Sequence, residues 1–144
     1  MSGFSASETI NCPKELVFKQ LTDLKNFKNW MPGILDIKIN PNLEISKGTK
    51  YIEIRRFKNG EGDVHMEVLD INPPNLFVTG FFMGKTYCKY EYVLQSKYDQ
   101  TIVSLNCKIT VYGFKKLWQP LIAWAIKLQD KNQLKALKAS LENS

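Results

Sequence analysis

From residue 103 to residue 111 the chain alternates without a break. Val103, Leu105, Cys107, Ile109 and Val111 fall on one phase, and Ser104, Asn106, Lys108 and Thr110 on the other. Successive side chains of a strand point to opposite faces, so this segment has one dry face and one wet one. Strict alternation of that kind belongs to an antiparallel sheet with a single solvated face.

The same period of two begins at Ile34. Leu35, Ile37 and Ile39 alternate with Asp36 and Lys38. A strand over residues 50–58 is followed by Asn59-Gly60, a dipeptide suited to a tight hairpin turn. Residues 63–71 form the next strand, closed by Asn72-Pro73-Pro74-Asn75. An apolar strand over residues 76–83 turns at Gly84-Lys85, and residues 87–97 and 101–112 pair around Tyr98-Asp99. Residues 4–10 add a first strand, with Phe4, Ala6 and Ile10 on one side. Seven strands are expected.

Helical spacing frames this block. Pro13 suits the first position of a helix, where its missing N–H costs nothing. Leu16, Val17, Leu21 and Leu24 follow, with Phe18 widening the stripe, and a second short turn holds Phe27 and Trp30 before Pro32-Gly33. In residues 115–142, Leu117, Leu121, Trp124 and Leu128 step by four, three and four, and Leu134, Leu137 and Leu141 continue after a shift of phase. This predicts a long amphipathic terminal helix whose apolar face must be covered. Pro120 either starts its regular part or kinks it.

Composition narrows the function. At 144 residues the chain suits one domain able to bury a core without staples. Its start, MSGFSASETI, lacks the blocks of a signal peptide, and the longest apolar run, residues 121–126, is far short of the ~20 residues of a membrane span. Cys12, Cys88 and Cys107 have no metal-ligand spacing and read as free thiols in a reducing cytoplasm. The net charge is +6, yet only Arg55 and Arg56 are arginine and the lysines are scattered, so no nucleic-acid partner is expected. Contact with a membrane surface is expected to be transient at most.

The order of elements, strand, two short helices, six strands and a long helix, resembles the SRPBCC superfamily. That group includes START-type lipid-transfer domains, polyketide cyclases and the birch-pollen-allergen proteins. The likeness rests on Thr9-Ile10-Asn11-Cys12-Pro13-Lys14-Glu15-Leu16-Val17-Phe18, on Asp23 and Trp30-Met31-Pro32, on Gly48, on Pro73-Pro74, and on Leu134-x-x-Leu137-Lys138. Cys12 departs from it, since a small or hydroxyl residue is more usual there and Cys is a poor helix cap. The resemblance implies an α+β helix-grip fold: a curved seven-stranded antiparallel sheet around a long C-terminal helix, with two short helices after the first strand. It also implies an internal pocket under that helix.

The residues that could line such a pocket are Tyr51, Met66, Phe82, Tyr90, Tyr92, Leu117, Leu121 and Trp124. Tyr90 and Tyr92 are the most informative, sharing an apolar phase with Cys88 and Leu94. A buried phenol needs a partner: a protein carbonyl or water in the ordinary case, a ligand's oxygen in the functional one. Phe82 is placed on an apolar rim beside Gly84, and Met66 shares a phase with Val64 and Val68. Glu53 and Arg55 share a phase with Tyr51 and are expected to be solvated; facing inward, they would form a buried pair and the best polar anchor for a ligand. His65, the only histidine, lies in a polar series with Asp63 and Glu67 that points to the wet face. Alternate residues on a flat strand do not converge on a metal.

No phosphate loop, G-x-S-x-G elbow or H-E-x-x-H is present. The sequence therefore reads as a cytoplasmic binder of a small hydrophobic or amphipathic ligand (lipid, quinone or polyketide-like aromatic), monomeric or weakly dimeric, with no cofactor, metal or catalytic residue assigned. A kink at Pro120 would gate the pocket. A cyclase or aromatase would need a polar pair inside the pocket near the tyrosines. A module acting only through protein partners would lack a cavity and expose a large apolar patch.

Overall fold

In the computed structural model, which describes residues 2–57, 60–112 and 132–143, the strands are β1 (Ser2–Ile10), β2 (Ile34–Lys38), β3 (Lys50–Phe57), β4 (Gly60–Asn72), β5 (Leu76–Met83), β6 (Thr86–Lys97) and β7 (Gln100–Val111). They form one antiparallel sheet in the order β1-β7-β6-β5-β4-β3-β2. Helix α1 (Lys14–Thr22) and a 3-10 helix (Leu24–Asn29) follow β1, and helix α2 (Gln133–Glu142) comes last. The α+β architecture with a seven-stranded antiparallel sheet is the one the alternation implies.

The dry phase of each central strand builds the core. On β7 the buried residues are Val103, Leu105, Cys107, Ile109 and Val111, and on β6 they are Cys88, Tyr90, Tyr92 and Leu94. Fully burying an aliphatic side chain of this size contributes about 1.5–3 kcal/mol. Val17, Phe18 and Leu21 of α1, and Leu24 and Phe27 of the 3-10 helix, close one end.

Two details depart from the simple alternation. Strand β2 buries Ile34 and Ile37, not the expected series Leu35, Ile37 and Ile39, because its register shifts between Ile34 and Asp36. The Asp36 carboxylate accepts the Ile37 N–H at 2.9 Å and holds the bulge. Strand β4 repeats the device: its register shifts between Val68 and Asp70, and Asp70 accepts the Ile71 N–H at 2.9 Å. Both sites carry the tripeptide Leu-Asp-Ile.

Pro13 caps α1 from outside its first turn, with no side-chain cap. The start is instead tied to the other end of the chain. Glu142 accepts the backbone N–H of Asn11 at 2.7 Å, and Gln20 donates to Ser140 at 3.1 Å. Leu134 and Leu137 of α2 are buried against this corner and Leu141 is half-buried. The expected helix over residues 115–142 is described from Gln133 to Glu142; Leu117, Pro120, Leu121 and Trp124 lie outside the described residues, as does Asn59. Cys12, Cys88 and Cys107 form no disulfide.

Candidate functional site: a buried polar cluster on the inner face

Strand β3 sends Tyr51, Glu53 and Arg55 to the inner face, where their exposures are 3%, 2% and 4%. The expectation that Glu53 and Arg55 are solvated is therefore overturned. Their period-two spacing with Tyr51 outweighs their charge, and the pair enters the core because each neutralises the other. Arg55 Nε and Nη2 both reach Glu53 Oε1, at 2.8 and 2.6 Å. The guanidinium also lies over the Phe81 ring, 5.2 Å from its centre, a contact that favours a cation in a dry setting.

Register brings the rest of the cluster together. Tyr51 stands opposite Met66 on β4, and Met66 opposite Phe81 on β5. Thr79 stands opposite Tyr90, and Phe77 opposite Tyr92. Phe77 stacks on Tyr92 at 6.1 Å and Phe81 tilts against Tyr90 at 5.8 Å, so rings floor the site. The Tyr51 phenol is held well above its ordinary pKa, first by burial and then by the neighbouring Glu53 charge and Tyr92; Arg55 and a side-chain hydrogen bond with Thr79 act the other way. It is a neutral hydroxyl at any ordinary pH.

The wall facing this floor comes from other elements. Gln133 of α2 is 3% exposed, and its Oε1 accepts the Tyr92 hydroxyl. Its Nε2 donates to Met31 Sδ at 3.7 Å, just past the 3-10 helix. Between floor and wall remains a gap of ≈ 10 Å³, about room for one water. Tyr51, Met66, Tyr90 and Tyr92, expected as lining residues, all border it. Gln133, Met31 and Thr79 border it too and were missed. For Gln133 the signal was its spacing of four from Leu137 and eight from Leu141.

Phe82 does not join them. It follows Phe81 on β5, so its side chain points to the outer face, 60% exposed, with its ring 4.6 Å from Tyr87. The outer face there has an open hollow of ≈ 880 Å³ bordered by Phe82 with Ile52, His65, Leu69 and Tyr87, and reached also by Tyr51 and Met66. It forms where Gly80 carries no side chain and Tyr87 folds across it: a Cβ at Gly80 would stand 2.6 Å from Tyr87 Oη. His65 is exposed, on the wet face where its polar series places it. The outer hollow is the larger, but the buried, mutually bonded polar groups converge on the inner face.

Among the described residues no group of three or more His, Cys, Asp or Glu is placed to hold a metal ion. No described helix is long and apolar enough to cross a membrane.

The family described as "Polyketide cyclase / dehydrase and lipid transport" matches residues 1–142. No curated protein matches the chain. Among solved structures, Ara h 8.0201 is similar over 99% of both chains at 14% identity, with a TM-score of 0.81. A START superfamily protein from Mycobacterium smegmatis matches 98% of this chain and 97% of its own at 13% identity, with a TM-score of 0.77. The di-domain ARO/CYC BexL from the BE-7585A biosynthetic pathway gives a TM-score of 0.80 at 11% identity; 99% of this chain aligns with 47% of that one. At these identities the likeness is one of fold.

Proposed function

Because the chain belongs to the polyketide cyclase/dehydrase and lipid transport family, we propose that it binds a small hydrophobic or amphipathic molecule between the inner face of the sheet and the C-terminal segment. The apolar body of the ligand packs on Met66, Phe77 and Phe81, and its polar end meets Tyr51 and the Glu53–Arg55 pair. Leu117, Leu121 and Trp124 complete the proposed lining.

One observation carries this reading: an ion pair and several hydroxyls are buried on the aromatic inner face of the sheet. A core built only for stability gains little from such a pair, since apolar residues of similar volume often do as well or better. An apolar pocket with a few converging polar groups is the ordinary form of a small-molecule site. On this reading a ligand enters by displacing the wall of the ≈ 10 Å³ gap, which rests on Met31 and Gln133, rather than the hydrogen-bonded sheet. Native mass spectrometry of protein purified from its own host tests the proposal. The expected result is an adduct of a lipid, quinone or aromatic compound that organic solvent removes. A bare chain mass, together with no uptake of such compounds when they are added back, contradicts it.

A second reading, ring closure of a bound polyketide-like substrate, is favoured by the convergence of Glu53, Arg55 and Tyr51. It needs an acid or base in reach of the substrate as well as a shaped pocket. Incubation with a linear poly-β-ketone thioester distinguishes the two: cyclisation faster than the spontaneous reaction, and lost in Glu53→Gln, marks a pair that acts chemically.

A further inference from the structure

The amide of Gln133 is unequally satisfied. Its oxygen accepts the Tyr92 hydroxyl, which ties the group to β6. Its nitrogen donates to the Met31 thioether at 3.7 Å. A primary amide carries two N–H donors, and a thioether is a weak acceptor. So a side chain only 3% exposed holds its donor side toward a poor partner, on the wall of the inner gap.

We propose that Gln133 Nε2 is the specificity-determining donor for the bound molecule, recognising an oxygen acceptor such as a ketone or ester carbonyl, and that the Met31 thioether fills that place when the site is empty. This rests on the proposed binding function and names the chemistry of the ligand's polar group. Met31 is suited to step aside, being unbranched with three rotatable bonds. Its backbone N–H stays bonded to Phe27 O at 2.7 Å, so the side chain can swing while the main chain holds. Tyr92 supplies the reason for selectivity. It holds the amide in place whatever is bound, so a ligand without an acceptor leaves a buried donor unpaired and binds less well than one that supplies an acceptor.

A matched pair of probes tests this: 2-acetylnaphthalene, and 2-isopropylnaphthalene, which has a similar outline and no acceptor. Calorimetric titration of the wild-type protein is expected to favour the ketone by about three- to tenfold, the value of one hydrogen bond. Gln133→Leu removes that preference, weakening the ketone and strengthening the hydrocarbon, which no longer leaves a donor unpaired. Met31→Leu strengthens binding of both compounds alike and leaves their ratio unchanged, since the empty state common to both loses its weak acceptor. In 15N-labelled wild-type protein, the Gln133 side-chain amide protons shift downfield with the ketone and not with the hydrocarbon. Two results overturn the inference alone: the same ketone-to-hydrocarbon ratio in wild type and Gln133→Leu, or an unmoved Gln133 amide in the saturated complex. Failure of both compounds to bind wild type contradicts the binding function, and this inference with it.

Discussion

Arg55 directs Nε and Nη2 onto a single carboxylate oxygen of Glu53, two residues back along the same strand and on the same buried face. Removing either partner leaves the other charge in the core. Glu53→Gln and Arg55→Met are each expected to cost about 3–5 kcal/mol in urea denaturation. The double variant is expected to cost clearly less than the sum, because both single changes break one shared interaction. Strict additivity would show that the two side chains act independently.

Stability falls at high pH through Tyr51. Burial raises its phenol above the ordinary value of 10.0, so the folded state keeps its proton where the unfolded chain loses it. The native form then binds more protons than the unfolded one, which makes stability decline with rising pH. The contribution is fully present below pH 10.0 and is lost above it, at about 1.4 kcal/mol per pH unit while only the unfolded chain ionises. Tyr51→Phe is expected to flatten the decline in guanidinium denaturation between pH 9 and pH 11 (about one unit either side of that value). An unchanged slope in the variant would place the titrating group elsewhere.

The two faces of β5 and its neighbours should respond differently to truncation. Met66 is 3% exposed on the inner face, and Met66→Ala is expected to cost about 2–5 kcal/mol and to weaken ligand uptake. Phe82→Ala, on the outer face, is expected to leave affinity for 2-acetylnaphthalene within about twofold and to change stability by less than about 1 kcal/mol. Loss of binding in Phe82→Ala would move the ligand to the outer hollow.

The tie between Glu142 and Asn11 closes the two ends of the chain on each other. Glu142→Ala is expected to cost about 1 kcal/mol, as for a hydrogen bond with an exposed charged acceptor. Faster hydrogen exchange in α2, with exchange on β6 and β7 unchanged, is the accompanying sign.

Much of the fold was legible because burial imposes a period. On β7 the dry phase from Val103 to Val111 reads directly from the sequence and is buried as read. What failed were positions where a local bond or a pairing overrode that period. Asp36 holds the Ile37 N–H and bulges β2, which brings Ile34 rather than Leu35 into the core. Glu53 and Arg55 carried the right spacing but the wrong chemistry for a core taken one residue at a time; only as a pair do they fit inside. Phe82 misled in the opposite way, an aromatic residue in an apolar strand that its phase assigns to solvent. Gln133 was hidden because a polar residue beside Leu134 reads as the wet side of the helix, while its spacing to Leu137 belongs to the buried one.

The most direct test labels the methionine methyl groups with 13C and titrates the protein with 2-acetylnaphthalene. Met31 and Met66 border the inner gap from opposite sides, one beyond the 3-10 helix and one on the sheet. Binding in the interior predicts that both methyl resonances move together and saturate at the same concentration. Saturable binding with the Met31 methyl unmoved would contradict an interior ligand site, whether or not Met66, which also borders the outer hollow, responds.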